Sequence, residues 1–472
     1  MKTMRTVVLS ASVLTLAGCV NLAPDYKRGA PSIPAQLPVD PAASSGSAAL
    51  HWEDIVVAAP LRELIAVALI ENRDLQVVAA NVRVARAQLG LARSGLFPRF
   101  GADASVEEGG TFESSASPSQ SFSDNASAGL SVTAWELDFF GRIANNQAAA
   151  RESYFASEEG QRAARIALVA SICEAWLQLA ADKELLALAE ETVRSQSESF
   201  DLTRELLDAG AANELDVRRA SASVQTARAQ AAQFEARVRQ DLNLLRFLAG
   251  ADLPEGIAGS AVLSPTPLVS KIPVGASSEI LLARPDLMAA ERQLRAANAS
   301  IGAARAAYFP SISLIGSAGY VSADLSGLVG GDGTGGWRFG PSLSLPIFDG
   351  GARRSNLAST LAARDAALAS YERSIQSAFR ETADALAVAA TIDARLSALQ
   401  QLAEDTDITL SLSEERFKSG IDDYLAVLDA QREYYSGRQQ LIAAQLDRGR
   451  NTVALFRALG NWSDTSQAPE AP

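Results

Sequence analysis

The chain alternates between very long helical stretches and short segments whose apolar residues recur at every second position. Residues 142–209 contain no proline and one glycine, and residues 353–419 contain neither. A helix of about 67 residues would be about 100 Å long at 1.5 Å per residue. No uninterrupted apolar run in these stretches reaches 18 residues, so neither is expected to cross a membrane. Helices of this length predict coiled-coil-like packing against neighbours.

Four shorter segments show the alternation that is typical of β-strands, near residues 100–107, 130–132, 312–320 and 342–347. Segments of about ten residues with one apolar face are typical of transmembrane strands, although a half-buried sheet alternates in the same way. Aromatic residues at the boundaries between strand and helix favour the membrane interpretation, because such residues form interfacial girdles. They are Phe97, Trp135, Phe139, Phe140, Tyr308, Phe309 and Phe348.

The two halves of the chain carry the same pattern. Eight residues recur with an offset of 212, including Arg83 and Gly90, which match Arg295 and Gly302. Nine more recur with an offset of 210, and the change of two falls between the paired strands. These nine are Gly141, Leu202, Glu205, Gly210, Leu215, Val217, Ala220, Leu245 and Gly250, which match Gly351, Leu412, Glu415, Gly420, Leu425, Val427, Ala430, Leu455 and Gly460. Each half therefore predicts helix, strand, loop, strand, very long helix, tight turn and helix.

The turn after each long helix has a clear local signal. Gly210 and Gly420 stand where a left-handed C-cap is expected, and Asn213 or Asp422 can cap the helix that follows. Asp422 and Asp423 are adjacent acids at a helix start, which are more often cap and dipole partners than a catalytic pair. Between the strands, the serine-rich residues 114–125 and the glycine-rich residues 326–336 predict flexible exterior loops.

Four strands are too few to close a membrane barrel by themselves. An open sheet edge in lipid would leave backbone groups without hydrogen-bond partners, so the strands of one chain must pair with those of another. Three chains would supply twelve strands, an even number in the range of known barrels. The pattern thus requires an oligomer.

The N-terminus has the features of a bacterial lipoprotein signal. Lys2 and Arg5 precede an apolar stretch at 6–16 that is too short to span a membrane. Residues 16–19 (LAGC) resemble a lipobox, which implies cleavage and acylation of Cys19. Val20 follows where enterobacterial lipoproteins retained at the inner membrane have aspartate, so the resemblance points to the outer membrane.

Composition argues against several classes of function. A net charge of −13 disfavours nucleic-acid binding, because phosphates would repel the chain. His51 is the only histidine, so no catalytic triad or histidine metal cluster is expected, and the protein is not expected to be an enzyme. Cys173, the only other cysteine, has no disulfide partner once Cys19 is acylated. No energy-coupling motif is recognisable, so any transport through the protein would be passive or driven by partners.

Several motifs together resemble the lipoprotein (NodT-type) branch of the TolC-like outer-membrane efflux family. They are the lipobox, residues 22–26 (LAPDY), 71–75 (ENRDL), 135–142 (WELDFFGR), 345–351 (LPIFDGG) and 424–431 (YLAVLDAQ). The resemblance implies a homotrimer whose twelve-stranded transmembrane β-barrel is continuous with a long periplasmic α-helical barrel. It also implies two partners, a periplasmic adaptor and an inner-membrane pump of the resistance–nodulation–division type.

The resemblance also points to site residues. The hairpin tips around Gly210 and Gly420, with Asp422 and Asp423, would dock the adaptor. Leu425 and Asp429 match positions that narrow the periplasmic mouth in family members.

This sequence departs from the family at the mouth. Ala426 replaces an acid found in some members, and the first repeat has Leu215 and Arg219 opposite Leu425 and Asp429. We therefore expect a leucine ring with alternating Asp429 and Arg219 charges; the alternative is that Leu425 packs in a helix seam and Asp429 is a solvated surface acid.

The sequence as a whole favours a lipid-anchored outer-membrane exit duct for small-molecule efflux, with a type I protein-secretion channel as the alternative. We divide the chain into a signal peptide (1–18), an anchored segment (19–60), a first repeat (61–250), a linker (251–277), a second repeat (278–460) and a C-terminal tail (461–472).

Overall fold

The computed structural model describes residues 21–29, 33–38, 51–108, 125–264, 266–269 and 277–460. The chain forms two compact units, and each unit draws segments from both sequence repeats. The β unit comprises segments within 1–30, 81–158 and 289–371, and the α unit comprises segments within 31–80, 159–288 and 372–472. The compact units therefore cut across the two repeats, whereas the divisions drawn from the sequence follow them.

The order of elements confirms the duplicated pattern. The first repeat contains α1 (Ala59–Glu71), α2 (Arg73–Ser94), β1 (Phe100–Glu107), β2 (Asn125–Leu137), α3 (Arg142–Asp208) and α4 (Glu214–Ala249). The second contains α5 (Pro285–Ala306), β3 (Ser311–Ser322), β4 (Thr334–Ser344), α6 (Ala352–Lys418) and α7 (Tyr424–Leu459). Short helices lie at Trp52–Ile55, Ile257–Ser260 and Leu325–Gly330, with a 3-10 helix at Ser278–Ala283. Helices α3 and α6 both have 67 residues, and α4 and α7 both have 36.

The expectations for the β3–β4 connection and for the end of β4 are wrong in detail. The segment 326–336 is not one loop, because a short helix covers Leu325–Gly330 and β4 already begins at Thr334. The side chain of Asp324 caps that helix by accepting from the Gly327 N–H at 2.6 Å. Strand β4 ends at Ser344 rather than near 347, because its last partner is Ser311, the first residue of β3. Most of the other predicted loop, 114–124, lies outside the described residues.

The four strands form one antiparallel sheet in the order β1-β2-β3-β4. The central pair, β2 with β3, joins the strands of the two repeats. The register shifts between Val132 and Trp135, where Thr133 and Ala134 stand opposite the single residue Ile315. Ala134 has a φ of 41°, in the left-handed region, as expected at a bulge. The extra residue keeps Trp135 on the same face of the sheet as Val132.

The core of the α unit gathers around the middle of α3. Trp176 is fully buried, and it belongs to a cluster that includes α1 residues such as Leu64 and the α7 residue Phe456. Helix α3 also contains an 18-residue window that is apolar enough to cross a membrane by length and composition, which counting apolar runs did not predict. Packing accounts for this hydropathy, because 61% of the window is buried inside the protein.

Candidate functional site

The register places apolar side chains on one face of the sheet. Residues at matched positions across the strands are apolar or glycine almost throughout, and several of the large ones are exposed, with Phe100 77% and Trp337 81% accessible. This face contains Phe100, Ala102, Val106, Ala128, Leu130, Val132, Leu314, Ala318, Tyr320, Trp337, Phe339 and Leu343. A contiguous exposed apolar face of this kind is typical of a surface that meets lipid or a partner.

The opposite face of the sheet is mostly polar or small. Asp103 lies here and accepts from the Ser131 hydroxyl at 2.6 Å. The hydroxyl oxygens of Ser105 and Ser127 are 2.9 Å apart and form a hydrogen bond across the strands. The other members of this face include Gly101, Gly129, Glu136, Ser313, Ser317, Gly319, Arg338 and Ser342. Ile315 and Val321 are the large apolar exceptions among the paired positions. The alternation predicted from sequence therefore produces an apolar face and a face suited to water.

The predicted aromatic belt lies at the ends of the strands. Phe140 and Phe309 stack with ring centroids 4.7 Å apart. The Trp135 indole donates to the Leu96 carbonyl at 3.2 Å, and the Arg353 guanidinium lies 5.7 Å from the Tyr308 ring centre. Phe97, Phe139 and Phe348 are exposed. These contacts fix several rings where strand meets helix, as an interfacial belt requires.

Both long helices end in the same hydrogen-bonded turn. The Gly210 N–H donates to the Leu207 carbonyl, and the Ala211 N–H donates to the Leu206 carbonyl. The second repeat copies this geometry around Gly420, with φ angles of 75° and 74° at the two glycines. This is the Schellman arrangement, in which a side chain at the left-handed position would be strained. The predicted glycine C-caps are present in both hairpins.

The helices that follow are capped by one side chain each. Asn213 accepts from the Asp216 N–H at 3.0 Å, as predicted. In the second repeat the cap is Asp423, which accepts from the Ala426 N–H at 3.2 Å, and the expectation that Asp422 would serve is wrong.

Asp422 instead belongs to an ion pair that sequence reasoning missed. It accepts from the Arg416 guanidinium at 2.6 and 2.9 Å, six residues earlier in the chain. Arg416 holds the pKa of the Asp422 carboxyl below its usual range. The first repeat has Leu206 and Ala212 at these positions, so the pair distinguishes the second hairpin from the first.

The candidate gate residues are exposed near the starts of α4 and α7. Leu425 is 46% exposed and Leu215 57%. In the single chain the two charged residues pair along their own helices, Asp429 with Arg432 at 3.5 Å and Arg219 with Asp216 at 3.9 Å. No ion pair joins Asp429 to Arg219 within the described chain.

A polar cleft of about 440 Å³ nevertheless brings part of this set together. Arg219, Leu425 and Arg432 all line it, along with Gln196 of α3 and Gln431 of α7. Arg432 is a cation beside the proposed acid that the sequence analysis did not single out.

The predicted lipid attachment residue, Cys19, lies outside the described residues, but the segment just after it is held in the β unit. Arg305 donates to the Leu22 carbonyl at 3.1 Å, and Asn298 donates to the Pro24 carbonyl at 2.7 Å. The buried Glu291 accepts from Tyr26 at 3.1 Å and pairs with Arg28. These contacts were not predicted, since no local pattern links residues more than 260 positions apart.

Potential metal ligands are not clustered in the part of the chain that the structure describes. That part includes no group of three or more histidine, cysteine, aspartate or glutamate side chains that could hold a metal ion. Cys173 is buried in the α3 core.

Comparison with known proteins agrees with the geometry. The sequence model of a family described as Outer membrane efflux protein matches residues 64–251 and 276–461. The chain is 40% identical over 463 residues to the solvent efflux pump outer membrane protein SrpC of Pseudomonas putida, covering 97% of this chain and 98% of that protein. It is 40% identical over 459 residues to the outer membrane protein OprJ of Pseudomonas aeruginosa, covering 96% and 95%.

A solved structure has the same architecture. The open-state MtrE outer membrane channel of Neisseria gonorrhoeae matches with a TM-score of 0.83 and 33% identity, covering 95% of this chain and 100% of that one. The predicted fold class, an internally duplicated outer-membrane channel of mixed α and β structure, is confirmed, as is the outer-membrane location. The chain belongs to the outer membrane efflux protein family and is the outer-membrane component of an efflux pump.

Proposed function

We propose that this protein is a passive exit duct that works as a homotrimer, not as an enzyme. The observation that carries the proposal is the four-stranded sheet, which has one exposed apolar face and two edge strands, β1 and β4, unpaired in the single chain. In lipid those edges must find partners, and β1 of one chain pairing with β4 of the next would close the sheet. Three copies give twelve strands, with the face that carries Asp103 and Arg338 lining the passage.

The duct would receive small molecules from a periplasmic adaptor and an inner-membrane pump. Relatives are named as outer membrane proteins of solvent, toluene and antibiotic efflux pumps, which supports small hydrophobic compounds or drugs as cargo over secreted proteins. The hairpin tips are the proposed docking surface for the adaptor. Ile421 is 64% exposed at the second tip, next to the ion pair of Arg416 with Asp422, and Leu215 is 57% exposed just after the first tip. An apolar surface beside fixed charges is typical of a specific docking site.

A deletion strain tests this function. Loss of the gene is expected to lower the minimal inhibitory concentrations of several unrelated drugs and solvents, and the intact gene on a plasmid should restore them. An unchanged susceptibility panel together with a secretion defect for one protein would favour the type I export alternative.

Assembly can be measured directly. Detergent-purified protein is expected to have a protein mass near three times the 49.6 kDa of the unprocessed chain, because a lone four-stranded sheet leaves two edges open. Multi-angle light scattering with correction for detergent gives this mass. A monomer that retains its strand content would contradict the closure argument.

The lipid anchor at Cys19 is a separate expectation. Cys19→Ala should abolish incorporation of labelled palmitate, while the protein still reaches the outer membrane, because the exposed apolar face of its sheet remains. Cys173→Ala is the matched control, since that cysteine is buried in the α3 core and should leave labelling unchanged. Label that persists in Cys19→Ala would place the lipid elsewhere.

A further inference from the structure

Two aspartates of the α unit lie against each other, Asp182 on α3 and Asp241 on α4. Asp182 is only 2% exposed, and its carboxyl is close enough to that of Asp241 to raise the pKa of Asp241. Gln178 donates to Oδ2 of Asp182 at 2.7 Å. In the described part of the chain, Oδ1 of Asp182 and Oδ2 of Asp241 are buried and accept no hydrogen bond. Two ionised carboxylates can only accept, so a shared proton is what would satisfy this contact.

The positive charges nearby are too few and too distant to hold both acids ionised. Arg237 of α4 lies 3.8 Å from Asp182 Oδ1, beyond hydrogen-bond distance, and its side chain is 45% exposed. Arg450 of α7 reaches this cluster, but it donates to the Gln178 side chain at 2.7 Å and not to a carboxylate. Burial, followed by the charge of Asp182, raises the pKa of Asp241 to about 7, and Arg237 opposes this shift.

The internal duplication shows that the fold does not require this acid pair. The offset of 210 places Ile392 and Asn451 at the equivalent positions of the second repeat. Ile392 is buried in an apolar cluster with Leu396 and Ala444. The first repeat therefore has a carboxyl group where its counterpart has an ordinary core residue. Burying a carboxyl group costs free energy that apolar packing would avoid.

We propose that Asp182 and Asp241 share one proton and form a pH-sensitive latch between α3 and α4. With the proton present, one carboxyl donates to the other and the helices are joined. Without it, two like charges face each other at a contact in which Asp182 is buried and Asp241 is partly buried. An aspartate freed from the contact releases its proton near pH 3.8, whereas the pair holds it to about pH 7. The contact therefore weakens as pH rises from about 4 to about 7 and is constant above that.

The latch has a consequence for the proposed gate. Helix α4 carries Leu215 and Arg219 at its start and Asp241 further along. The protonation state of the pair would set how firmly the helix that bears these residues is held against α3.

Hydrogen exchange of the full-length protein in detergent tests the latch. Asp241→Asn keeps the size of the side chain, donates through its amide and does not titrate. For amides near residues 178–186 and 237–245, the exchange rate of the wild type divided by that of Asp241→Asn at the same pH should rise between pH 4 and 7 and then level off. Asp447→Asn, an exposed aspartate of α7 that pairs with Arg395, is the control and should give a flat ratio. A flat ratio for Asp241→Asn as well would overturn the proposal.

An infrared titration provides a test that does not depend on the folding of any variant. The carbonyl stretch of a protonated carboxylic acid should persist in the wild type above pH 5 and disappear near pH 7. It should be missing from Asp241→Asn and from Asp182→Asn. Absence of this band from the wild type above pH 5 would mean that both acids are ionised and that no latch exists.

Discussion

Gly319→Ala should prevent the strands of the two repeats from pairing and should remove most of the folded protein from the outer membrane. Gly319 stands directly opposite Gly129 within the β2–β3 ladder. A Cβ at position 319 would lie 2.4 Å from the Ala128 carbonyl oxygen and 2.6 Å from the Gly129 Cα. Both are backbone atoms of the partner strand, so no side-chain rotation can relieve the clash.

The size of this effect follows from the cost of overpacking. About 2–3 kcal/mol would lower the ratio of folded to unfolded protein about 30- to 150-fold, since each 1.4 kcal/mol is a factor of ten. The measurement is the amount of folded oligomer in outer-membrane fractions on unheated gels. Gly340→Ala is the matched control, because it lies in β4 of the same sheet and an added Cβ there meets nothing within 4 Å. Equal yields of the two variants would show that β2 and β3 can pair without the close approach of their backbones at Gly129 and Gly319.

The sequence predicts the two longest helices to within one residue, and the reason is local. The stretches at 142–209 and 353–419 become helices at Arg142–Asp208 and Ala352–Lys418. Their ends depend on glycines that adopt a left-handed conformation within the chain itself, so no distant partner is needed to place them.

The strands were less predictable, because each strand pairs with residues that are distant in the sequence. Strand β4 begins at Thr334, inside a segment whose glycines suggest a loop. Its first residues pair with Tyr320 and Val321 of β3, and that ladder supplies the order that the glycines lack. The alternation of Trp337 and Phe339 was a usable signal that the glycine content concealed.

Side-chain roles at the candidate site also depend on partners that the local sequence does not reveal. The sequence predicts Asp422 as the cap, but Arg416 pairs with Asp422 and the neighbouring Asp423 caps the helix instead. The pairing of Asp182 with Asp241 joins two helices 59 positions apart in the chain and leaves no periodic signal.

At the periplasmic mouth, Leu425→Ala with Asp429→Ala should raise the conductance of the closed channel. Residues four apart share a helix face, and both side chains are substantially exposed in the single chain, as residues that meet only in an assembled trimer would be. Removing three leucines would widen an apolar constriction, and apolar constrictions resist wetting.

The loss of the Asp429 carboxylate predicts a second result, which the same planar-bilayer measurements of conductance can detect. Asp429 is the acid that pairs with Arg432, so Asp429→Ala leaves three unpaired guanidinium groups in a trimer, close to the cleft that Arg219 also lines. The double variant should therefore lose cation preference, measured as the reversal potential in a salt gradient across a planar bilayer without adaptor. Leu412→Ala with Asp447→Ala provides the control, because that leucine and that aspartate are also exposed but lie on α6 and farther along α7. If both double variants conduct as the wild type does, Leu425 is seam packing, Asp429 is a solvated surface acid, and the constriction lies elsewhere in the duct.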